Sequence, residues 1–120
     1  MDTNLYFRKS SVANLTADVT YDLKIGPMSK PMALEMIIPQ DSALDTLDVS
    51  LVFSATSGGA AVATLSLPQI LAAGTGRYFL PFYTNQLWVR LILNVTDGGG
   101  GVDYGAVSAK IVPVGYDLQK

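Results

Sequence analysis

The most constraining feature of this chain is a series of short segments in which apolar and polar residues alternate. The clearest case is TLDVSLVFSAT, residues 46–56. Its predicted inward side chains are Leu47, Val49, Leu51 and Phe53, and its predicted outward side chains are Asp48, Ser50 and Ser54. A period of two residues is typical of a β-strand with one buried face. We therefore expect a strand here whose inward side chains belong to the core.

Comparable segments recur along the chain and predict about seven strands in all. The others are residues 18–25, 32–38, 61–67, 77–82, 87–96 and 106–114. Glycine- and proline-containing turns separate them, and no long helix is available to cross over a parallel sheet. The pattern predicts an all-β antiparallel sandwich, jelly-roll-like, of seven to eight short strands with little or no helix. We expect one domain, 1–120, with residues 1–16 as a candidate extended N-terminal arm.

The residue types that are missing narrow the function. The chain has no histidine and no cysteine, which excludes Ser-His-Asp and Cys-His catalysis, thiolate or imidazole metal sites and disulfides. Eight basic and ten acidic residues give a net charge of −2, which does not favour nucleic acid as a partner. The N-terminus shows no signal-peptide pattern, and no apolar run is long enough for a membrane span. We expect a soluble, unexported protein without catalytic residues, cofactor or metal.

A run of four glycines, Gly98 to Gly101, suggests a phosphate-binding loop at first sight. Such a loop lies between a strand and the N-terminus of a helix, whereas a strand is predicted after this run. The residues after Gly105 are Ala106 and Val107, where a Walker loop needs Lys and then Ser or Thr. We interpret the segment as a mobile hairpin loop that binds no ligand and joins residues 87–96 to 106–114.

Acidic residues offer two further candidates. Asp41, Asp45 and Asp48 cluster in DSALDTLD but lack the spacing of a calcium loop, and we expect a solvated loop. Glu35, inside the apolar segment MALEMII, is the one carboxylate that burial could convert into a general acid or base. We expect its side chain on a wet or subunit-facing surface instead.

Three predicted strands carry bulky apolar residues on both faces, although a sandwich buries only one face of each strand. The residues on this second apolar face that we single out as a candidate assembly surface are Ile37, Trp88, Ile92 and Val112. Exposed apolar surfaces of this kind mark interaction sites, so another subunit or a larger partner is the expected cover. The alternative is that the N-terminal segment and loops fold over this face.

The order of several segments resembles the capsid cement, or decoration, proteins of short-tailed phages, the family first described from a Bordetella podovirus. The segments that carry the resemblance are MDTNLYFRKSSVANLTADVTYDL, PMALEMIIPQ, TLDVSLVFSAT, GRYFLPF, LWVRLILNVT and VSAKIVPVGYD. The resemblance implies a jelly-roll-like sandwich on the outer surface of the bacteriophage head. It also implies a non-enzymatic structural protein of the virion that clamps neighbouring major capsid protein subunits. A homo-oligomer is expected, a dimer in preference to a trimer, made in the host cytoplasm.

Two other functions stay open on the sequence alone. A carbohydrate-binding sandwich of a virion surface would use aromatic residues as a stacking platform, for which the candidates are Tyr78, Tyr83, Trp88 and Tyr104. A small hydrolase would need a pair of Asp or Glu carboxylates in a cleft. An exposed aromatic row would favour the first function, and a buried carboxylate pair would favour the second.

Overall fold

The computed structural model describes residues 14–26 and 31–113, and these residues form seven strands and no helix. The strands are β1 (Val19–Lys24), β2 (Met32–Ile38), β3 (Thr46–Ser54), β4 (Ala63–Ser66), β5 (Gly76–Phe82), β6 (Trp88–Thr96) and β7 (Ser108–Pro113). Each coincides with a segment predicted from the alternating pattern. The predicted all-β class and the number of strands are confirmed.

The strands form two antiparallel sheets. One has four strands in the order β1-β6-β3-β4, and the other has three in the order β5-β2-β7. Of the connections between consecutive strands, the one from β3 to β4 stays within a sheet, and the others join strands of different sheets. The chain therefore weaves between the two layers of a sandwich. A jelly-roll topology remains a prediction.

One hydrophobic core lies between the sheets. The four-stranded sheet contributes inward residues such as Leu51 and Leu91, and the three-stranded sheet contributes Leu34 and Ile111, all of them fully buried. Phe53 of β3 and Phe82 of β5 join the layers directly, with ring centroids 5.2 Å apart and ring planes inclined by 40°. Aromatic pairs at this separation add to the stabilisation from buried area.

The predicted register of β3 is confirmed for its inward residues, since Leu47, Val49, Leu51 and Phe53 are all buried. Asp48 is exposed and Ser50 is partly exposed, as expected for the other face. Ser54 also points outward as predicted, but its side chain is fully buried and not exposed. The chain turns back immediately after β3, and the Ser54 hydroxyl donates to the Thr56 carbonyl at 2.7 Å.

The candidate arm, 1–16, falls largely outside the described residues, which begin at Asn14. Leu15, however, is fully buried in the core. Its N–H donates to the Gly105 carbonyl, and its carbonyl accepts from the Tyr104 N–H, at 2.8 and 3.1 Å. Residue 15 is thus part of the sandwich and not of an arm. Within residues 14–26 and 31–113, no helix is long and apolar enough to cross a membrane.

Candidate interaction surfaces

The outward side chains of β5-β2-β7 form a surface that we call the three-stranded outer face. Met32, Leu34, Met36 and Ile38 enter the core, so the alternate residues of β2 point away from it. The face consists of Ala33, Glu35 and Ile37 of β2, Arg77, Phe79 and Pro81 of β5, and Ser108, Lys110 and Val112 of β7. Its central strand contributes a carboxylate, which lies opposite Phe79 on one side and Lys110 on the other.

Glu35 is buried on this outer face with only 3% of its side chain exposed. The Lys110 ammonium lies 3.3 Å from its Oε1, and the Arg77 guanidinium contacts its Oε2. A buried carboxylate is tolerated only when cations and hydrogen-bond donors compensate it, and both of its oxygens meet a cation here. The expectation of a wet surface for Glu35 is therefore wrong, because the side chain is buried although it lies on an outer face. The alternative expectation, a subunit-facing surface, stays a prediction.

Apolar side chains surround this charged cluster. Phe79 is 46% exposed and Ile37 is 43% exposed, while Pro81 is also exposed. Phe79 lies opposite Glu35 across the β2–β5 ladder, and Ile37 lies opposite Arg77. Residues opposite each other on one face of a sheet have Cβ atoms about 5 Å apart, so the apolar and charged side chains interleave. The result is a face on which exposed apolar side chains of β2 and β5 lie beside a buried carboxylate and its two partly exposed cations.

The outward side chains of the other sheet form the four-stranded outer face, which includes Asp22 of β1, Val52 and Ser54 of β3, and Trp88, Arg90 and Ile92 of β6. The connection from β3 to β4 folds over this face. Arg90 donates through Nη2 to the Gly59 carbonyl at 2.9 Å, and the Ser57 hydroxyl donates to Asp22 Oδ2. Val52 and Ser54 are buried even though they point away from the core.

The four residues of the predicted assembly surface do not come together. Ile37 and Val112 belong to the three-stranded outer face, and Val112 is buried there. Trp88 and Ile92 belong to the four-stranded outer face, on the opposite side of the sandwich, and both are half-buried. A single second apolar face does not form. Sequence reasoning missed Phe79 and Arg77. β5 carries apolar residues on both faces, so its sequence does not show which of them face solvent.

The glycine run does not form a hairpin, because β6 and β7 belong to different sheets. The segment crosses from one layer to the other. Its N–H groups are used internally: Asp97 Oδ1 accepts from Gly99 and Gly101 at 2.8 and 3.2 Å, and Asp45 Oδ1 accepts from Gly98 at 2.9 Å. A loop whose N–H groups already donate to carboxylates of the same chain is not arranged to bind phosphate.

Asp45 is fully buried, so the prediction of a solvated loop is wrong for this residue. Its Oδ2 accepts from the Ser42 hydroxyl, and that hydroxyl oxygen accepts from the Asp103 N–H at 2.9 Å. A Cβ added to Gly98 would lie 1.7 Å from the Leu44 carbonyl oxygen, so glycine is required there by close backbone contact. Asp45 thus ties the connection between β2 and β3 to the glycine segment.

The other two aspartates of the cluster are exposed and separately bonded. Asp48 accepts from the Gln69 amide at 3.1 Å, and Asp41 accepts from the N–H and hydroxyl of Thr75 at 3.1 and 2.5 Å. The Thr75 hydroxyl bond, reinforced by its N–H bond, lowers the pKa of Asp41 from its ordinary value. No group of three or more acidic side chains in the described part of the chain is arranged to hold a metal ion.

The aromatic residues that would form a carbohydrate platform are also dispersed. Tyr104 is fully buried, and burial is the main cause of its raised pKa, with the charge of Asp45 adding to it. Tyr78 packs against the core and donates to the Gly74 carbonyl at 2.8 Å. Tyr83 is exposed, and Trp88 lies half-buried on the four-stranded outer face. These side chains do not share one surface.

No protein-family model matches the chain, and no curated protein matches it. Neither comparison supports the resemblance to capsid cement proteins, which stays a prediction from the order of the sequence segments.

Proposed function

We propose that the chain is a non-enzymatic decoration protein, which binds the outer surface of an assembled phage head and contacts neighbouring major capsid subunits through the three-stranded outer face. The observation that carries this proposal is the exposure of Phe79 and Ile37 around the Glu35 ion cluster. Aromatic residues and arginine are enriched in protein interfaces, where they supply most of the binding energy. The segment order described above supports the capsid as the partner.

The ion cluster suits a binding surface because it fixes long side chains before binding. Lys and Arg side chains lose conformational entropy when an interface immobilises them, and this loss weakens binding. Here Arg77 and Lys110 are already held by Glu35. Arg77 lies opposite Ile37 across the β2–β5 ladder, and Phe79 follows two residues later in β5, so a held cation and the exposed apolar side chains share one face.

Decoration of a shell needs no chemical step. A protein that binds the assembled lattice and not its separate subunits stabilises the assembled state by mass action. If each copy or oligomer contacts two capsid subunits, the second contact is intramolecular and the overall affinity rises. The proposed location is the virion surface, because the proposed partner is the assembled shell.

Cosedimentation tests this proposal directly. The purified chain is mixed with expanded heads assembled without it, and in parallel with unassembled major capsid protein. We expect saturable binding to heads and little binding to separate subunits. Equal binding to both, or no binding to heads, would contradict the proposal. A glycan array run with the same preparation tests the carbohydrate-binding alternative. None of the described contacts supports that alternative.

A further inference from the structure

The edge strand β4 differs from the other exposed edges of the sandwich. A sheet edge presents unpaired N–H and C=O groups, and proteins protect such edges from pairing with charged side chains, proline or bulges. Among the described strands, β1 carries Asp22 and Lys24, β7 carries Lys110, and β5 carries both Arg77 and Pro81. β4 has neither a charge nor a proline. It is the edge that lacks these protective residues.

All four residues of β4, Ala63–Ser66, are exposed. The surrounding sequence is uncharged as well, since no charged side chain occurs between Asp48 and Arg77. Two apolar side chains are exposed at this edge: Val62 by 63% and Leu65 by 38%. An open, uncharged edge with exposed apolar side chains is a surface for strand addition.

The register of β4 against β3 shows which backbone groups face outward. Leu67 lies opposite Val49 and donates to its carbonyl at 3.1 Å. Hydrogen-bonded and non-hydrogen-bonded pairs alternate along an antiparallel ladder, so Leu65 also bonds with β3 while Thr64 and Ser66 do not. The N–H and C=O groups of Thr64 and Ser66 therefore point away from β3, toward the open edge.

We infer that β4 pairs antiparallel with β4 of a second copy of this chain, with Thr64 opposite Ser66 of the second copy and the two Leu65 residues facing each other on the two-fold axis. This arrangement is self-complementary, as a two-fold dimer requires. It uses all the outward backbone groups of Thr64 and Ser66, because each Thr64–Ser66 pair exchanges two hydrogen bonds. Like charges do not meet, since the strand has none.

Neighbouring registers leave the outward carbonyl of Thr64 or Ser66 without a donor. A shift that places Ser66 opposite itself brings Thr64 against Pro68, which has no N–H to donate. A shift that places Thr64 opposite itself brings Ser66 against Val62, whose N–H already donates to the Phe53 carbonyl at 2.8 Å. The register centred on Leu65 is therefore preferred. The four-stranded sheets of the two copies would join into one continuous sheet.

This dimer is separate from the proposed capsid contact, because it uses an edge of the four-stranded sheet and leaves the three-stranded outer face free. A chain that fails to bind heads can still form this dimer, and a chain that fails to dimerise can still bind heads. Both surfaces can act together, since a dimer would present two three-stranded outer faces.

Disulfide trapping tests the register, because the natural chain has no cysteine and each variant carries only one. At the two-fold axis, Leu65→Cys places two Cα atoms about 4.5 Å apart, within the range that a disulfide spans. Val62→Cys is the matched control: it is more exposed than Leu65, but in this register its two copies lie roughly 20 Å apart.

Under mild oxidation, we expect Leu65→Cys to form a disulfide-linked dimer at least about tenfold faster than Val62→Cys, because cysteines held together react at a millimolar effective concentration. Random collision would instead favour the more exposed Val62→Cys. Equal rates, a faster Val62→Cys, or no linkage of Leu65→Cys would overturn the inference.

Sedimentation velocity provides a second readout on chains without cysteine. Thr64→Pro removes an N–H that points to the open edge and leaves the ladder with β3 intact, whereas Thr64→Val keeps that N–H. We expect a concentration-dependent dimer for the natural chain and Thr64→Val, and a monomer for Thr64→Pro. A monomeric natural chain, or a dimer of Thr64→Pro as strong as that of Thr64→Val, would also overturn the inference. If Thr64→Pro does not fold, the cysteine pair decides.

Discussion

The two outer faces of the sandwich differ in what covers them. On the four-stranded outer face, the connection between β3 and β4 folds back, and Arg90 and Asp22 hold it through Gly59 and Ser57. On the three-stranded outer face, two cationic side chains pair with the buried Glu35, while Phe79 and Ile37 stay exposed. The same sequence signal, apolar residues on both sides of a strand, thus has two outcomes. On the four-stranded outer face, a loop of the same chain covers the outward apolar residues. On the three-stranded outer face, a partner is proposed to cover them.

The largest effect is expected in the core that supports both faces. Phe53→Ala removes the ring that contacts Phe82 across the layers, and loss of a buried phenylalanine costs about 3–5 kcal/mol once the cavity is included. Urea unfolding should show this loss in the free energy of unfolding. A midpoint close to that of the natural chain would mean that the two sheets do not share a core, and the comparison of their outer faces would fail with it.

A carboxylate on each face permits a direct comparison. Glu35→Ala leaves two cations without their common partner, and we expect it to cost about 1–3 kcal/mol, reduced from the value for a fully buried pair because Arg77 and Lys110 are partly exposed. Asp22→Ala should cost less, about 1 kcal/mol or below, since its nearest Arg90 nitrogen is 4.0 Å away. Unfolding of both variants under one condition measures the difference. A larger loss for Asp22→Ala would show that the ion pair on the four-stranded outer face contributes more to the free energy of unfolding than the Glu35 cluster does.

A conservative change tests the loop that covers the four-stranded outer face. Arg90→Lys keeps the charge but shortens the reach to the Gly59 carbonyl, and we expect a loss of about 0.5–1.5 kcal/mol from this hydrogen bond. Hydrogen exchange should rise in residues 55–62 and stay unchanged in β2. Unchanged exchange in the loop would show that Arg90 does not hold it, and the face would then have to be regarded as open.

The smallest effect is expected at Asp41, which lies on neither face. Because Thr75 lowers the pKa of Asp41 in the folded chain, this bond stabilises the fold above the ordinary pKa of the carboxyl, and the contribution is lost as pH falls through the lowered value. Thr75→Val removes the hydroxyl bond and should return the pKa of Asp41 part of the way toward its ordinary value. NMR titration of the Asp41 carboxyl measures the shift, and an unmoved pKa would assign the effect to another group.

The strands could be predicted from the sequence because a period of two residues reports local geometry. Leu47, Val49, Leu51 and Phe53 are buried as that period requires. The burial of Ser54 could not be predicted in the same way, since it depends on the path of the chain after β3. Likewise, the separation of Trp88 from Ile37 depends on which sheet each strand joins, and alternation along a strand carries no information on its neighbours.

The glycine segment gives a second example of the same limit. Its composition predicts a turn. Its role as a connection between the two sheets could not be predicted, because it depends on β6 and β7 belonging to different sheets. The buried carboxylate of Asp45 accepts from the Gly98 N–H, more than fifty residues away in the sequence. The Glu35 cluster likewise needed the pairing of β2 with both β5 and β7 before Arg77 and Lys110 could be seen to meet one carboxylate. Long-range pairing, and not local propensity, builds these features.

The most direct test of the proposed function compares two double variants in head binding. Ile37→Ser with Phe79→Ser changes the three-stranded outer face, and Trp88→Ser with Ile92→Ser changes the opposite face. Both pairs are first checked for a folded state by circular dichroism and urea unfolding. Each variant is then cosedimented with expanded heads over a range of concentrations. We predict that the first pair lowers head affinity at least about tenfold, as loss of an aromatic anchor does, and that the second leaves it nearly unchanged. Retained affinity in the first pair, or loss confined to the second, would contradict the assignment of the three-stranded outer face as the capsid-binding surface.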